Sequence, residues 1–304
     1  MSTICIFGVF VADLCFFGKS IPIRGETILG SKHIVGPGGK GSNQAVAAAK
    51  AGADTHMITR LGRDTFADMA LDIWQKAGVT PAITQHDDGY TGAACIFIES
   101  ETGNNAIIVT PGVAGKIDNS DIDRNADLIA NADIFITQLE QPLAAAMYGL
   151  GMARKNGVCT LLNPAPAAEL PEGMLALCDY VTPNETEAEG LTGVKVTSVD
   201  SAIDAAKALR AVGAGAAIIT LGENGALYHD AETTIHMPAM SSGKVIETTG
   251  AGDAFNGSFA AAIAEGITPV EAVRFGCAAA GISVTRSGAA NSMPSRAEID
   301  TRLA

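Results

Sequence analysis

Short apolar runs alternate with longer helix-like segments along most of this chain. The runs are apolar at successive positions rather than at every second one, which is typical of strands buried on both faces of a parallel sheet. They occupy residues 4–7, 57–61, 134–139, 158–162, 180–182 and 216–221. The helix-like segments occupy residues 42–51, 66–77, 142–155 and 201–212. A glycine follows shortly after each of these segments, as at many helix C-termini. The sequence therefore predicts repeated strand–helix units and an α/β fold with a parallel sheet.

Residues 13–35 and 91–109 break this alternation. Within the second region, residues 93–99 and 105–109 resemble two strands joined by a Thr-Gly-Asn turn, which is a hairpin pattern. We predict that the two regions form a small antiparallel β lid that stands off the main sheet and covers a site or forms a subunit interface. No linker, repeat or low-complexity tract divides the chain, so we expect a single domain over residues 1–304.

The charge balance limits the classes of partner. Lys and Arg number 20 against 33 Asp and Glu, a net charge of −13, which disfavours nucleic acid or an anionic membrane surface as the main partner. The six cysteines are scattered without metal-binding spacing, and we expect free thiols in a reducing compartment. No apolar run is long enough to span a membrane, and the N-terminus lacks the basic segment of a signal peptide. We therefore predict a cytoplasmic protein.

Polar residues and glycines collect where the predicted strands end. In an open parallel sheet, ligands bind outside the carboxyl ends of the strands. The ends in question are Glu140, Asn163, residues 183–187 and residues 222–225. The run 245–249, which we take as another strand, ends at a Gly-Ala-Gly-Asp loop. Together these ends predict a ligand site along one edge of the sheet.

Residues 248–259 join a small-residue turn to the start of a helix. Phe255, Phe259 and Ile263 recur at helical spacing and predict one buried helix face. The small residues 250–252 leave their N–H groups open to an anion, which a helix N-terminus favours. Asp253 then lies where a carboxylate could act as a base toward an incoming hydroxyl. Taken alone, the segment is also typical of an ordinary loop–helix junction.

Residues 36–52 open with a glycine-rich turn that leads into an Ala-rich helix. The turn fails the Walker pattern, because Lys40 is followed by Gly41 rather than by Ser or Thr. Lys40 and Asn43 stand at the turn, and such groups suit a polyhydroxyl ligand, which needs both donors and acceptors. Taken alone, this segment is also typical of a tight turn before a packed helix.

The two motifs together resemble the paired signatures of the ribokinase-like (PfkB) carbohydrate kinases. The matching patterns are Gly-Gly-Lys-Gly-x-Asn-Gln-Ala at residues 38–45 and Thr-Gly-Ala-Gly-Asp-Ala-Phe-x-Gly at residues 249–257. Residues 138–140, 163–171, 182–189 and 284–289 extend the likeness over nearly the whole chain. The resemblance implies a three-layer ribokinase-like fold with a β lid, and ATP-dependent phosphorylation of a pentose, first of all D-ribose at its 5-hydroxyl. The alternatives are a 2-deoxyribokinase, a fructokinase-type enzyme, a nucleoside kinase or, in another class, a non-catalytic sugar or nucleotide sensor.

The resemblance also implies roles for individual residues. Asp253 would accept the proton of the sugar hydroxyl. The transferred phosphoryl group would be bound by the N–H groups of Gly250, Ala251 and Gly252. The sugar would be held by Asp13, Gly39, Lys40, Asn43 and Glu140. ATP would contact Asn184, Thr220, Gly222, Gly225, Gly252 and Cys277.

Two metal ions and a dimer are further implications of the resemblance. Magnesium would be bound near Glu187, through water. A monovalent cation, K⁺, would activate the enzyme from a site made of Glu247, Thr249, Ser283, Arg286, Gly288 and Ser292. Lids of this family often pair with one another, so a homodimer through the β lid is implied. Its other partners would be ATP and a small-molecule sugar.

Two residues depart from the family pattern. Val11 stands two residues before Asp13, where members that phosphorylate ribose typically carry an Asn that bonds a sugar hydroxyl. Loss of such a buried hydrogen bond costs about 1–3 kcal/mol, so 2-deoxyribose or another furanose gains as a candidate. Glu247 stands where the cation-binding residue is usually Asp, and its extra methylene shifts the carboxylate.

Overall fold

The computed structural model describes residues 2–304, which form thirteen strands and ten α-helices. The strands are β1 Thr3–Phe7, β2 Val11–Gly18, β3 Lys32–Gly38, β4 Asp54–Gly62, β5 Val79–His86, β6 Thr91–Glu99, β7 Asn105–Gly112, β8 Ile134–Thr137, β9 Cys159–Leu162, β10 Tyr180–Val181, β11 Ala216–Thr220, β12 Ala226–His229 and β13 Thr234–Met237. The helices are α1 Lys40–Lys50, α2 Thr65–Ala77, α3 Asn119–Arg124, α4 Ala126–Ala130, α5 Leu143–Lys155, α6 Glu185–Thr192, α7 Val199–Ala211, α8 Ala251–Ala264, α9 Pro269–Ser283 and α10 Arg296–Leu303.

Nine of the strands form one sheet in the order β13-β12-β11-β10-β9-β8-β1-β4-β5. The pairs from β11 to β5 are parallel, while β12 and β13 extend one edge in antiparallel orientation. The predicted α/β fold with a mostly parallel sheet is confirmed. The four predicted helices also form, with ends within two residues of the expected ones.

The interior strand β1 is buried on both faces of the sheet. Ile4 and Ile6 pack in one core cluster with side chains of α1, α2, α8 and α9. Cys5 and Phe7, which point the other way because side chains alternate along a strand, pack with α5 in a second cluster. The chain thus forms three layers, helix–sheet–helix, as the resemblance implied.

Helix α8 is buried almost all the way round, so the prediction of a single buried face was too narrow. Phe255 and Phe259 are buried as expected, and Ile263 is half-buried. A side chain at Gly257 would overlap the backbone oxygen of Gln44 in α1. Small residues therefore let α8 lie between α1 and α9, and helical periodicity cannot reveal such close packing on several faces.

Residues 245–249, expected to be a strand, belong to neither sheet. Val245 and Ile246 are 57% and 62% exposed. The backbone N–H groups of Ile246 and Glu247 both donate to the carbonyl of Val284, at 2.8 and 3.2 Å. The strand prediction was wrong because the backbone of this apolar segment bonds to the end of α9 instead of to a strand edge.

The remaining four strands form a small sheet in the order β3-β2-β6-β7. The predicted hairpin is present as the antiparallel pair of β6 and β7, and β2 pairs with β3 in the same sense. The central pair, β2 with β6, is parallel. Both of these strands leave the carboxyl edge of the main sheet, after β1 and β5 respectively, and therefore run in the same direction.

Within residues 2–304, no helix combines the length and the apolar composition that crossing a membrane requires. The six cysteines are free thiols, of which Cys5, Cys178 and Cys277 are buried.

Candidate active site

The glycine-rich turn at the start of α1 holds Lys40 at the carboxyl end of the sheet. Gly39, the residue before the helix, has a φ of 86°, and a Cβ there would lie 2.6 Å from the carbonyl oxygen of Val9. Only glycine accepts this conformation and this close approach. The backbone N–H of Lys40 donates to Oε2 of Glu140 at 2.7 Å. This hydrogen bond joins the early motif to Glu140, which lies three residues after the end of β8.

The late motif forms the N-terminus of α8. Gly250, with a φ of 79°, precedes the helix, and no side chain caps it. The N–H of Ala251 donates to the carbonyl of Thr248 at 3.1 Å within this turn. Asp253 lies in the first turn and is only 6% exposed. The uncapped helix end presents N–H groups and the positive end of the helix dipole beside a buried carboxylate.

Two amides from α1 hold the carboxylate of Asp253. Asn43 Nδ2 donates to Oδ2 and Gln44 Nε2 donates to Oδ1, each at 3.0 Å. Burial raises the pKa of Asp253, while Lys40 and then the two amides oppose this effect. The net shift is upward, as is common for a carboxyl group that serves as a base in a closed site.

Lys40 is the ammonium at the centre of a group of carboxylates. Burial alone would lower the pKa of Lys40, but the surrounding carboxylates outweigh burial and raise it. Burial raises the pKa of Glu140 to about 7, against the opposing charge of Lys40. Burial, and next the charge of Asp253, raises the pKa of Asp13 to about 6. The carboxylates that raise the pKa of Lys40 are those of Asp253, Glu140 and Glu187.

A cleft of about 210 Å³ at the carboxyl edge of the sheet contains Lys40, Glu187 and Asp253. It is lined by Lys40, Asn163, Ala165, Thr182, Asn184, Glu187, Thr220, Thr248, Gly250, Gly252, Asp253 and Asn256. Polar residues predicted from several strand ends therefore meet in one place. Asp13 reaches the same region from β2 and lies close to Gly38, where a Cβ would overlap its carboxylate.

The residues predicted to organise the phosphates and magnesium form the N-terminus of α6. Asn184 Oδ1 accepts from the N–H of Glu187 at 2.8 Å, and Glu187 Oε2 accepts from the N–H of Asn184 at 2.9 Å. Residues 2–304 contain no cluster of three or more His, Cys, Asp or Glu side chains that could hold a metal. One carboxylate in a cleft fits magnesium, which is typically bound by one or two carboxylates together with water and substrate phosphates.

The predicted cation residues come from two segments that the structure brings together. Glu247 Oε2 accepts from the N–H of Gly288 at 2.9 Å. The hydroxyls of Ser283 and Ser292 donate to carbonyls one turn back in their own segments, whereas the Arg286 side chain pairs with Glu298 and so points away from such a site. Thr249 is exposed. The Glu247 carboxylate and backbone carbonyls are oxygen ligands of the kind that a hard cation takes.

The predicted nucleotide residues lie farther along the same edge. Thr220 lines the cleft and forms an isolated bridge with Asn184. Gly222 begins the short 3-10 turn Gly222–Asn224 and Gly225 follows it, and both glycines have positive φ. Cys277 is buried in α9 and is not among the residues that line the cleft.

The sequence reasoning assigned no role to two polar residues of this region, Gln44 and Thr182, which bond to Asp253 and Asn256 respectively. Thr182 Oγ1 donates to Asn256 Oδ1 at 2.5 Å, and Asn256 Nδ2 donates to the carbonyl of Gly252 at 2.8 Å. Gln44 falls inside the early motif and Thr182 inside the matching segment 182–189, which was the signal available for them. Their partners lie far away in the sequence and cannot be read from it.

Known proteins resemble this chain over its whole length. A sequence model described as "pfkB family carbohydrate kinase" matches residues 1–296. A ribokinase of Haemophilus influenzae is 37% identical over 97% of this chain and 96% of its own length. A deoxyribokinase of Salmonella typhi is 35% identical over 96% of this chain and 95% of its own length. The structure of Arabidopsis thaliana ribokinase complexed with ribose and ATP has a TM-score of 0.92 at 29% identity, covering 99% of this chain and 98% of that one. The chain therefore belongs to the pfkB family of carbohydrate kinases, which are phosphotransferases that act on a sugar hydroxyl.

Proposed function

We propose that this chain phosphorylates a pentose with ATP, and that its main reaction converts D-ribose to D-ribose 5-phosphate. The observation that carries the proposal is the setting of Asp253, a buried carboxylate in the first turn of α8 that shares a cleft with Lys40. Phosphoryl transfer depends mainly on positioning and charge stabilisation. A base, an uncapped helix N-terminus and an ammonium meet these needs. The relatives named as ribokinase and deoxyribokinase support a pentose as the acceptor.

In the proposed reaction, the sugar hydroxyl oxygen attacks the γ-phosphorus of ATP, and its proton passes to Asp253. The new O–P bond forms as the bond between the γ-phosphorus and the bridging oxygen of ADP breaks. The N–H groups of Gly250 and Gly252 bind the phosphoryl oxygens, as preorganised donors at a helix N-terminus. Ala251 joins them when the bond from its N–H to Thr248 is shared or released.

Magnesium and potassium complete the proposal. Magnesium would supply positive charge against the phosphates of ATP. Glu187 would hold it through water, with Asn184 fixed beside the phosphates by their reciprocal hydrogen bonds. Glu247 would place its carboxylate at the K⁺ site, one methylene longer than the usual Asp.

The sugar is proposed to lie between α1 and the small sheet. Asn43 Oδ1 is a buried oxygen without a hydrogen-bond partner among residues 2–304, and a sugar hydroxyl would satisfy it. Asp13 and Glu140 would accept further hydroxyls, with Lys40 and Gly39 completing the site. The small sheet then acts as a lid that excludes water, which favours the sugar over water as acceptor.

The same lid is proposed to pair with a second copy of the chain. Asp13 is in register with Ala94, which pairs with Val109, and the next row on that face contains Ile34 and Ile107. The side chains of Ile34, Ile107 and Val109 are 44%, 53% and 56% exposed. An apolar row that continues outward from the sugar site supports a homodimer in which each lid covers the other.

We place the protein in the cytoplasm. Its six cysteines are free thiols, and such thiols persist in a reducing compartment.

A sugar panel tests the proposed function. ADP release is measured with ATP and magnesium for ribose, 2-deoxyribose, fructose and a nucleoside, each with and without potassium. We expect the highest kcat/KM for a pentose, with phosphate on its 5-hydroxyl. A highest value for fructose or a nucleoside would select one of the related kinases instead. Measurable sugar binding without any turnover would indicate a non-catalytic sensor.

Val11 favours 2-deoxyribose as a second candidate substrate. It lies two residues before Asp13 on β2, and therefore on the same face of the strand, and its side chain offers no hydrogen bond. We expect Val11→Asn to raise the kcat/KM ratio of ribose over 2-deoxyribose about tenfold, as gain of one buried hydrogen bond implies. Val11→Ala is the control, since it adds space but no donor or acceptor. An unchanged ratio in Val11→Asn would place Val11 away from the 2-hydroxyl.

A further inference from the structure

A chain of buried side-chain amides runs beneath the cleft and ends on Asp253. Its centre is Gln44 in α1, whose Nε2 donates to Asp253 Oδ1 and to Asn163 Oδ1, each at 3.0 Å. Oε1 of Gln44 accepts from Nε2 of Gln138 at 2.7 Å. Both glutamines are fully buried, so water does not compete for these bonds.

The orientation of each amide is determined from one end of this chain. The backbone carbonyl of Thr182 can only accept, and Nδ2 of Asn163 donates to it at 3.1 Å. Asn163 must therefore turn Oδ1 toward Gln44. The atom of Gln44 that faces this oxygen must be Nε2, and the second proton on Nε2 is directed at Asp253. A fixed backbone acceptor thus determines which atom meets the carboxylate.

The other end of the chain explains why Gln44 cannot turn over. Oε1 of Gln44 accepts a hydrogen bond from Nε2 of Gln138. This bond would be lost if the Gln44 amide flipped. Oε1 of Gln138 is buried without a partner among residues 2–304, and it lies so close to Gly8 that a Cβ there would overlap it. A buried oxygen without a partner costs stability.

We infer that Gln44 is a positioning residue that aims the carboxylate of Asp253 at the sugar hydroxyl. The inference rests on the proposed role of Asp253 as the base. With Asn43 on Oδ2 and Gln44 on Oδ1, each carboxylate oxygen accepts one hydrogen bond and keeps a lone pair for the hydroxyl. Gln44 is fully buried and its amide atoms are bonded to Asp253, Asn163 and Gln138, so it acts on the base rather than on the sugar.

The same bond favours the ionised form of Asp253. Burial raises the pKa of Asp253, and the donor on Gln44 is among the groups that oppose this rise. Removal of the donor raises the pKa of the base further. The acidic limb of the pH profile of kcat, where protonation of the base stops turnover, then moves to higher pH.

The test variant is Gln44→Met, which keeps the length of the side chain and removes its donor. We expect kcat at pH 7 to fall about 10- to 100-fold, as loss of a hydrogen bond to a charged group implies. The acidic limb should move up by about one pH unit, since one unit corresponds to a tenfold change in proton affinity. KM for the sugar should change little. Thermal unfolding is measured alongside.

Gln141→Met is the matched control. Gln141 is a buried glutamine whose Nε2 donates to Thr137 Oγ1 and to the carbonyl of Gln138, at 2.6 and 2.7 Å, without reaching Asp253. The Gln141→Met variant should show the same acidic limb of the kcat pH profile as the wild type. Gln138→Leu, which removes the donor to Gln44 one step farther from the base, should move the limb in the same direction by less.

The outcomes separate the two proposals. A wild-type protein that phosphorylates no sugar overturns the proposed function and this inference with it. An active wild type whose Gln44→Met variant keeps the wild-type acidic limb overturns the inference alone. If Gln44→Met does not fold, Gln138→Leu decides: an upward shift supports the inference, and an unshifted limb overturns it.

Discussion

Asp253→Asn is expected to lower kcat for the sugar by about 10²- to 10⁴-fold, the usual contribution of a general base. The amide cannot accept the hydroxyl proton, so the loss falls on the chemical step. KM for ATP and for the sugar should change by only a few-fold. Steady-state kinetics with ADP release measure the effect, and a near-normal kcat would contradict the role of Asp253 as the base.

The same variant should remain folded, because the site can accommodate an amide. The carboxylate oxygen that faces Gln44 becomes the amide oxygen and still accepts its hydrogen bond. The new NH₂ group then faces Asn43, whose Oδ1 has no partner among residues 2–304, so that the Asn43 amide can flip and accept. Thermal unfolding within a few degrees of the wild type is the expected result.

Asp121→Asn is the matched control, since Asp121 is a buried carboxylate outside the cleft. It forms ion pairs with Arg60 and Arg124 and is 2% exposed. Breaking a buried ion pair leaves an uncompensated charge. We therefore expect Asp121→Asn to lower the unfolding temperature and to leave kcat unchanged, the opposite of the pattern for Asp253→Asn. If instead Asp253→Asn lowered the unfolding temperature and Asp121→Asn lowered kcat, Asp253 would serve the fold rather than the reaction.

Lys40→Met is expected to lower kcat about 10²- to 10³-fold, as removal of one preorganised electrostatic group does in other enzymes. The Lys40 ammonium is the positive charge that opposes the raised pKa of Asp253 and Glu140. Without it, both pKa values rise further, so activity should recover in part as the pH increases. The backbone N–H of Lys40 still donates to Glu140 in the variant, which isolates the effect of the ammonium.

Lys50→Met is the control for this prediction. Lys50 lies in the last turn of the same helix and donates to the carbonyl of Met293 at 2.8 Å, away from the cleft. The Lys50→Met variant should be somewhat less stable than the wild type but keep the same kcat and the same pH profile. Equal losses of kcat in Lys40→Met and Lys50→Met would show that the helix, rather than the Lys40 charge, is responsible.

The fold could be predicted where each element reveals its own environment. Ile4, Cys5, Ile6 and Phe7 are apolar at successive positions because β1 has helices on both faces. The run 245–249 also begins with two β-branched apolar residues but bonds to the end of α9, since no property of the run itself specifies which backbone it will meet. The burial of helix α8 was likewise underestimated, because the contacts on several of its faces are set by tertiary packing.

The site divides in the same way. The turns before α1 and α8 could be predicted because glycine at positive φ and a following helix are local features, as at Gly39 and Gly250. The bond from Gln44 to Asp253 joins residues 209 positions apart and left no local trace. The carboxylates around Lys40 left no local trace in the sequence either. The raised pKa values of Asp13 and Glu140 depend on burial and on neighbouring carboxylates that the fold brings close.

The sequence by itself therefore determined the alternation of strands and helices, the two glycine turns and the family. These features depend on backbone conformation and side-chain pattern within a few residues of one another. Only the tertiary structure decided that Asp253 is held by two amides of α1, and that an amide chain anchored on the Thr182 carbonyl orients one of them. Hydrogen bonds of this kind form wherever packing brings donor and acceptor together, and that proximity is a property of the whole fold.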